Sequence, residues 1–307
     1  MAINWYPGHM HKATKNMREA LPDVDVIIEL LDCRLPYSSQ NPMIAELAAD
    51  KPCIKILSKA DLADDEITAR WQAHFEQSDS VKTLRSTLED GDRAERVISL
   101  VDKFVPEPSK SRSQVFAMVL GIPNVGKSTL INTVADRKVA KTGNEPAITK
   151  GLQRIKIHDR LMFLDTPGIL WPKIENQQSG YRLAASGAIR DTAIEIDDIA
   201  AYLCGYLLEQ YPTHVRERFE LAELPQTEFE LLEHIGAQRG CLRAGGRVDV
   251  TKASAIIVNE FRAGALGAIS LETPDMIQAE EEQVQRLREE KLQKEKARKA
   301  RGKKTKR

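Results

Sequence analysis

The sequence predicts an α/β fold: a mostly parallel sheet with helices on both faces, followed by a small all-helical region. Three observations predict it. Apolar, β-branched runs end in polar turns, stretches of helical composition lie between those runs, and the periodicity changes after Trp171. Alternation of the first two is the signature of βαβ units, in which parallel strands need crossover helices. Residues 24–31 run into Asp32, residues 53–57 into Ser58-Lys59-Ala60-Asp61, and residues 115–120 into Gly121. Residues 64–76 and 92–104 have helical composition, and a shorter strand is expected at 81–84. Further strands follow at 152–157 and 161–164, while the polar segment 106–113 is short enough to be a loop within one domain.

Beyond Trp171, Ile196, Ile199, Ala200, Leu203, Leu207 and Leu208 recur at i, i+3, i+4, i+7, i+11 and i+12. That spacing is one face of an amphipathic helix. Helices are also expected near 226–235 and 251–261. The expected division is a sheet domain over 1–176, a helical domain over 177–275 and a basic helical tail over 276–307.

Composition excludes several classes. In 307 residues no stretch approaches 18 consecutive apolar positions, which predicts no membrane span. The first residues lack an apolar h-region, and Cys33, Cys53, Cys204 and Cys241 are scattered without a C-x-x-C pair. The expectation is a cytoplasmic protein without a disulfide framework or structural zinc. Lys plus Arg and Asp plus Glu are both 45, yet residues 283–307 hold twelve basic and three acidic side chains. A basic tail on an acidic body points to nucleic acid. With only Val284, Leu287 and Leu292 as large apolar residues, the tail has little to bury and should fray when free.

The chemistry concentrates in three short motifs. Gly121-Ile-Pro-Asn-Val-Gly-Lys-Ser128 matches G-x-x-x-x-G-K-[ST] between a strand and a helix. Glycines let backbone N–H groups surround phosphates, Lys127 reaches the β/γ oxygens, and Ser128 ligates Mg²⁺. Asn124, Val125, Gly126, Lys127, Ser128 and Thr129 are therefore the nucleotide-binding positions here. Asp165-Thr-Pro-Gly168 follows a strand 38 residues after Lys127, with Thr149 in the loop between. Asp165 would hold the Mg²⁺ water shell, Gly168 would donate to a γ-phosphate, and Thr149 would complete the Mg²⁺ coordination. Ser58-Lys59-Ala60-Asp61 supplies the carboxylate that guanine selection needs. The Lys59 stem would cover the base, and Asp61 would accept from its N1–H and exocyclic amine. The motif is similar to the N-K-x-D box of GTPases, with Ser58 where Asn is usual.

The base box precedes the phosphate loop, the reverse of ordinary GTPases, so the domain is expected to be circularly permuted. With Asn4-Trp-Tyr-Pro-Gly-His-Met10, Asp32-Cys-Arg-Leu-Pro36, Asp165-Thr-Pro-Gly-Ile-Leu-Trp-Pro172 and Gly240-Cys-Leu-Arg-Ala-Gly-Gly246, the chain resembles the circularly permuted GTPases of the ribosome biogenesis GTPase A (RbgA/YlqF) group. The resemblance implies GTP and GDP as ligands, hydrolysis on engagement with rRNA, and a role in late assembly of the large (50S) subunit. Ile169 and Leu170 stand where many GTPases carry a water-orienting Gln, and the resemblance offers His9 for that role. It also implies K⁺ at Asn124 and base contacts from Ser86 and Thr87.

Arg239, Arg243 and Arg247 flank Gly240, Gly245 and Gly246 between predicted helices, an arrangement suited to phosphate. With the tail, they make 23S rRNA the expected partner of a protein that is monomeric when free. Two alternatives stay open. A nucleotide-gated RNA-binding assembly factor would bind GTP with negligible turnover. A P-loop ATPase or nucleotide kinase would prefer ATP, against the guanine-reading Lys59 and Asp61.

Overall fold

A computed structural model describes residues 5–47, 51–88, 90–140 and 152–304. Its centre is one six-stranded sheet built from β1 (Val26–Asp32), β2 (Cys53–Ser58), β3 (Val81–Ser86), β4 (Val115–Gly121), β5 (Gln153–His158) and β6 (Leu161–Asp165). The strand order is β3-β2-β1-β4-β6-β5, parallel throughout except for β5, which runs antiparallel to β6. Every residue of β1 is buried, as an uninterrupted apolar run in a sheet covered on both faces requires. Glu29 and the final Asp32 are the charged exceptions in that strand, and Glu29 is neutralised within the sheet. Its carboxylate pairs with Lys55 of β2 at 2.5 Å, which compensates the burial of both charges.

Helices α1 (Gly8–Ala20), α2 (Pro42–Leu47), α3 (Asp65–Phe75), α4 (Arg93–Phe104) and α5 (Lys127–Val134) accompany the sheet. The expectations had no helix at the N-terminus. α1 forms because Met10, Ala13, Thr14 and Met17 lie at i, i+3, i+4 and i+7 and bury one stripe. α3 starts where the Asp64 side chain accepts from Ile67 N–H at 3.0 Å. β1 begins two residues later than the apolar run, though Val24 remains buried. The connector 106–113 is tied down: Ser109 and Arg112 both bond the Asp25 carboxylate.

The helical region comprises α6 (Gln177–Ala185), α7 (Ile196–Gln210), α8 (Pro212–Arg218), α9 (Glu228–Gln238) and α10 (Val250–Ala263). Thr227 caps α9 and Asp249 caps α10, each accepting from a first-turn N–H. Its apolar core is continuous with that of the sheet. The stretch after α10 runs back across the sheet domain, where Ile269 N–H donates to Leu62 O at 2.9 Å and Leu271 N–H to Arg34 O at 2.7 Å. The Trp71 indole donates to Glu272 O at 3.1 Å.

α11 (Pro274–Lys304) follows. Its first turns are anchored by Glu280, which accepts from Arg182 of α6 at 2.9 and 2.5 Å. Past Ile277 no apolar side chain of α11 is fully buried among the described residues, and Leu287 and Leu292 are exposed. Arg286, Lys291, Lys294 and Lys296 are exposed as well.

Candidate nucleotide site

Parallel strands of an open α/β sheet deliver their loops to one edge, outside their carboxyl ends. Asp32, Ser58, Ser86, Gly121 and Asp165 are the last residues of β1, β2, β3, β4 and β6, so the motifs meet there despite their permuted order.

The phosphate loop leaves β4 at Gly121, where a Cβ would lie 3.0 Å from Leu30 O and 2.9 Å from Val125 Cγ1. Only glycine fits. Asn124 and Gly126 then take left-handed backbone, with φ of 59° and 98°, and turn the chain into α5. Among the described residues no side chain caps α5, which leaves its first N–H groups for an anion. Lys127, the first residue of α5, is buried and forms an ion pair with Asp165 Oδ1. Burial pushes its ammonium below the usual lysine range, and Asp165 pulls it partly back.

Asp165 is fully buried, and its second carboxylate oxygen, Oδ2, has no hydrogen-bond partner among the described residues. An orphaned carboxylate oxygen beside a phosphate loop suits a hard cation or its water. The chain then passes directly over the phosphate loop. A Cβ at Gly168 would sit 3.0 Å from Pro123 Cα, and Ile169 N–H donates to Gly121 O at 3.3 Å. Ile169 and Leu170 are buried, so neither presents a group to water.

The base box closes the other side. Ser58 Oγ lies 2.9 Å from Leu31 O and 2.7 Å from Val125 O, a serine bridging β1, β2 and the phosphate loop. Lys59 adopts left-handed backbone, and its Nζ sits 2.8 Å from Asp32 Oδ2. Asp61 is exposed and makes no hydrogen bond among the described residues, which leaves its carboxylate available to a base. Ser86 lies opposite Ser58 in the β2–β3 pairing, and Thr87 N–H and Oγ1 both bond Asp90.

A family model described as "50S ribosome-binding GTPase" matches residues 116–224, the stretch that holds the phosphate loop and Asp165–Gly168. Ribosome biogenesis GTPase A of Bacillus cereus is 41% identical over 297 residues, covering 94% of this chain and 100% of that protein. The chain belongs to the ribosome biogenesis GTPase A family. The family member from Bacillus pumilus is 43% identical over 282 residues, covering 90% and 100% of the two chains. Mitochondrial ribosome-associated GTPase 1 of Ictalurus punctatus is 34% identical, covering 88% and 92%. The GNP-bound YlqF of Thermotoga maritima has the same fold, with a TM-score of 0.61 at 24% identity over 86% of this chain and 99% of that one. As a member of this family, the chain is a GTP-hydrolysing enzyme of ribosome biogenesis.

His9 is exposed in the first turn of α1, and no hydrogen bond ties it to Lys127, Asp165 or Gly168. Asn124 directs its side-chain amide to Gly187 O of the helical region at 2.8 Å. Thr149 lies outside the described residues. The expected RNA arginines are largely engaged on the surface: Arg239 pairs with Glu260 at 2.7 Å and Arg243 with Asp249 at 3.1 Å, while Arg247 is exposed. Among the described residues there is no His/Cys/Asp/Glu cluster able to hold a metal alone, and no helix long and apolar enough to cross a membrane.

Sequence reasoning gave no role to Asp32 and Arg34. Arg34 donates from Nε and Nη2 to the two Asp32 oxygens, each at 2.9 Å, and both side chains are buried. Burial alone would raise the Asp32 pKa, but Arg34 and Lys59 outweigh it and hold the carboxyl well below the usual range. Position was the available signal, because Asp32 ends the strand that lies between the base box and the phosphate loop.

Proposed function

We propose that this GTPase binds the large ribosomal subunit through 23S rRNA and assists its late assembly, hydrolysing GTP to GDP and phosphate on engagement. The observation that carries the reading is the buried Lys127–Asp165 pair with its orphaned oxygen beside the phosphate loop. Ser128 and Thr149 would ligate Mg²⁺ directly, and Asp165 would hold it through water. The ion would neutralise phosphate charge in the transition state. Lys127 and the α5 N-terminus bind the phosphates, with Val125, Gly126 and Thr129 completing the loop. Lys59, Asp61, Ser86 and Thr87 select guanine.

Apolar, buried Ile169 and Leu170 supply no group to orient water, which predicts low intrinsic turnover. His9 would orient the attacking water once rRNA draws the N-terminal segment to the site. Asn124 would ligate K⁺, whose charge would do the work of an arginine finger. Arg239, Arg243, Arg247 and the basic tail would contact rRNA phosphates, in a cytoplasmic protein that is monomeric when free.

Steady-state turnover of the wild type and His9→Ala, with and without large subunits, in K⁺ and in Na⁺, tests this. The expected result is strong stimulation of the wild type in K⁺, lost in His9→Ala with nucleotide affinity retained. Equal turnover of the two proteins would remove His9 from the mechanism, and equal rates in K⁺ and Na⁺ would remove the cation.

A further inference from the structure

We propose that Arg34 is a positioning residue for guanine-nucleotide binding, coupling the seating of the helical region to the grip of Lys59 on the base. Both oxygens of Asp32 are occupied: Oδ1 by Arg34 Nε, and Oδ2 by Arg34 Nη2 and Lys59 Nζ together. The position of the Lys59 ammonium is thus set by a carboxylate that Arg34 holds on two sides. Lys59 is the most accessible member of the trio, with 24% of its side chain accessible against 1% for each of the others.

The third arm of the guanidinium points away from the base box. Arg34 Nη1 donates to Phe261 O in the last turn of α10 at 3.0 Å, and its Cζ lies 4.6 Å from the centre of the Phe261 ring. Its backbone carbonyl accepts from Leu271 N–H. One planar fork therefore spans the base box and the helical region, which a lysine in its place cannot do.

Arg34, Lys59, Asn124, Gly187, Asn259 and Arg262 line a cavity of about 710 Å³, so both nucleotide loops face the helical region across one space. The Asn124 bond to Gly187 O is a second contact across it. If rRNA displaces α10, Phe261 O leaves Arg34, the buried fork must find a new arrangement, and Asp32 and Lys59 move with it. Coupling of this kind is reciprocal: nucleotide binding then alters affinity for the partner by the same factor.

The inference rests on the proposed function for the place of Lys59 in the base site and for the partner's identity, and release of N-methylanthraniloyl-GDP from the full chain tests it without the partner. Arg34→Met is expected to speed release about tenfold and Arg34→Lys about threefold. Trp71→Phe, which cuts the indole bond to Glu272 O in the same interface, is the control expected to leave release unchanged. Wild-type release rates in the Arg34 variants would overturn the proposal. So would equal acceleration by Trp71→Phe, since any loosening of the interface would then suffice. If Arg34→Met does not fold, Arg34→Lys decides. With large subunits added, release from the wild type should change at least about fivefold, and Arg34→Lys should blunt that change. Failure of the wild type to bind subunits would sink the ribosomal reading, leaving the subunit-free rates to judge Arg34.

Discussion

Lys127 and Arg243, both proposed above to meet phosphate, are held by the protein in opposite ways. Lys127 is 6% exposed and paired with a carboxylate at 0%, whereas the Arg243 side chain is 62% exposed against an Asp249 side chain at 15%. A buried pair can be rearranged only by a ligand that replaces every contact it breaks, because an uncompensated buried charge costs several kcal/mol. An exposed pair is worth about 0–1 kcal/mol, and any phosphate can take over either partner. The first arrangement suits selection of one nucleotide. The second suits a long polyanion, with affinity set by salt.

The largest expected effect lies on the buried side. Lys127→Ala strands Asp165 in the interior, so denaturant unfolding should show a loss of about 3–5 kcal/mol. GTP kcat/KM should fall by about 100-fold or more, as removal of one charged donor typically does. Wild-type stability in this variant would break the contrast. Asp61→Asn comes next and sharpens it. Asp61 is exposed and has no partner to lose among the described residues, so stability should hold while GTP affinity falls about 100-fold, measured by nucleotide titration.

Effects on the exposed side are smaller and salt-dependent. Deleting residues 283–307 removes twelve basic side chains, and subunit binding at 50 mM KCl should weaken about tenfold with GDP affinity unchanged. Sedimentation with purified subunits reads the first quantity and fluorescent-nucleotide release the second. Arg243→Gln is the mildest. Subunit binding should weaken about threefold, with a stability change within about 0.5 kcal/mol.

The same contrast marks what was legible in the sequence. Strand periodicity and three short motifs are local signals, so the sheet, the phosphate loop and Asp165–Gly168 could be placed from residues close in the chain. Helix α1 is a weaker local signal, because its stripe at Met10, Ala13, Thr14 and Met17 is narrow and set among polar residues. Contacts that join distant residues were not legible. Arg34 reaches Phe261 O across 227 positions, and Ser58 reaches Val125 O across 67. Serine stands in the base box where Asn is usual, and only the fold shows its hydroxyl between two backbone carbonyls. The arginines of the 239–247 loop were recognisable as basic, while Glu260 and Asp249, which face two of them, could be assigned only once α10 was packed.

Steady-state GTP turnover by the full chain, with and without purified large ribosomal subunits at 50 and 200 mM KCl, tests the division of labour most directly. The account predicts a low subunit-free rate at both salts, because buried Ile169 and Leu170 orient no water. It predicts a strongly stimulated rate at 50 mM that collapses by 200 mM at subsaturating subunits, since phosphate contacts of this number lose about 10³-fold or more in affinity over that range. Stimulation that survives 200 mM KCl undiminished, or no stimulation at either salt, would contradict it.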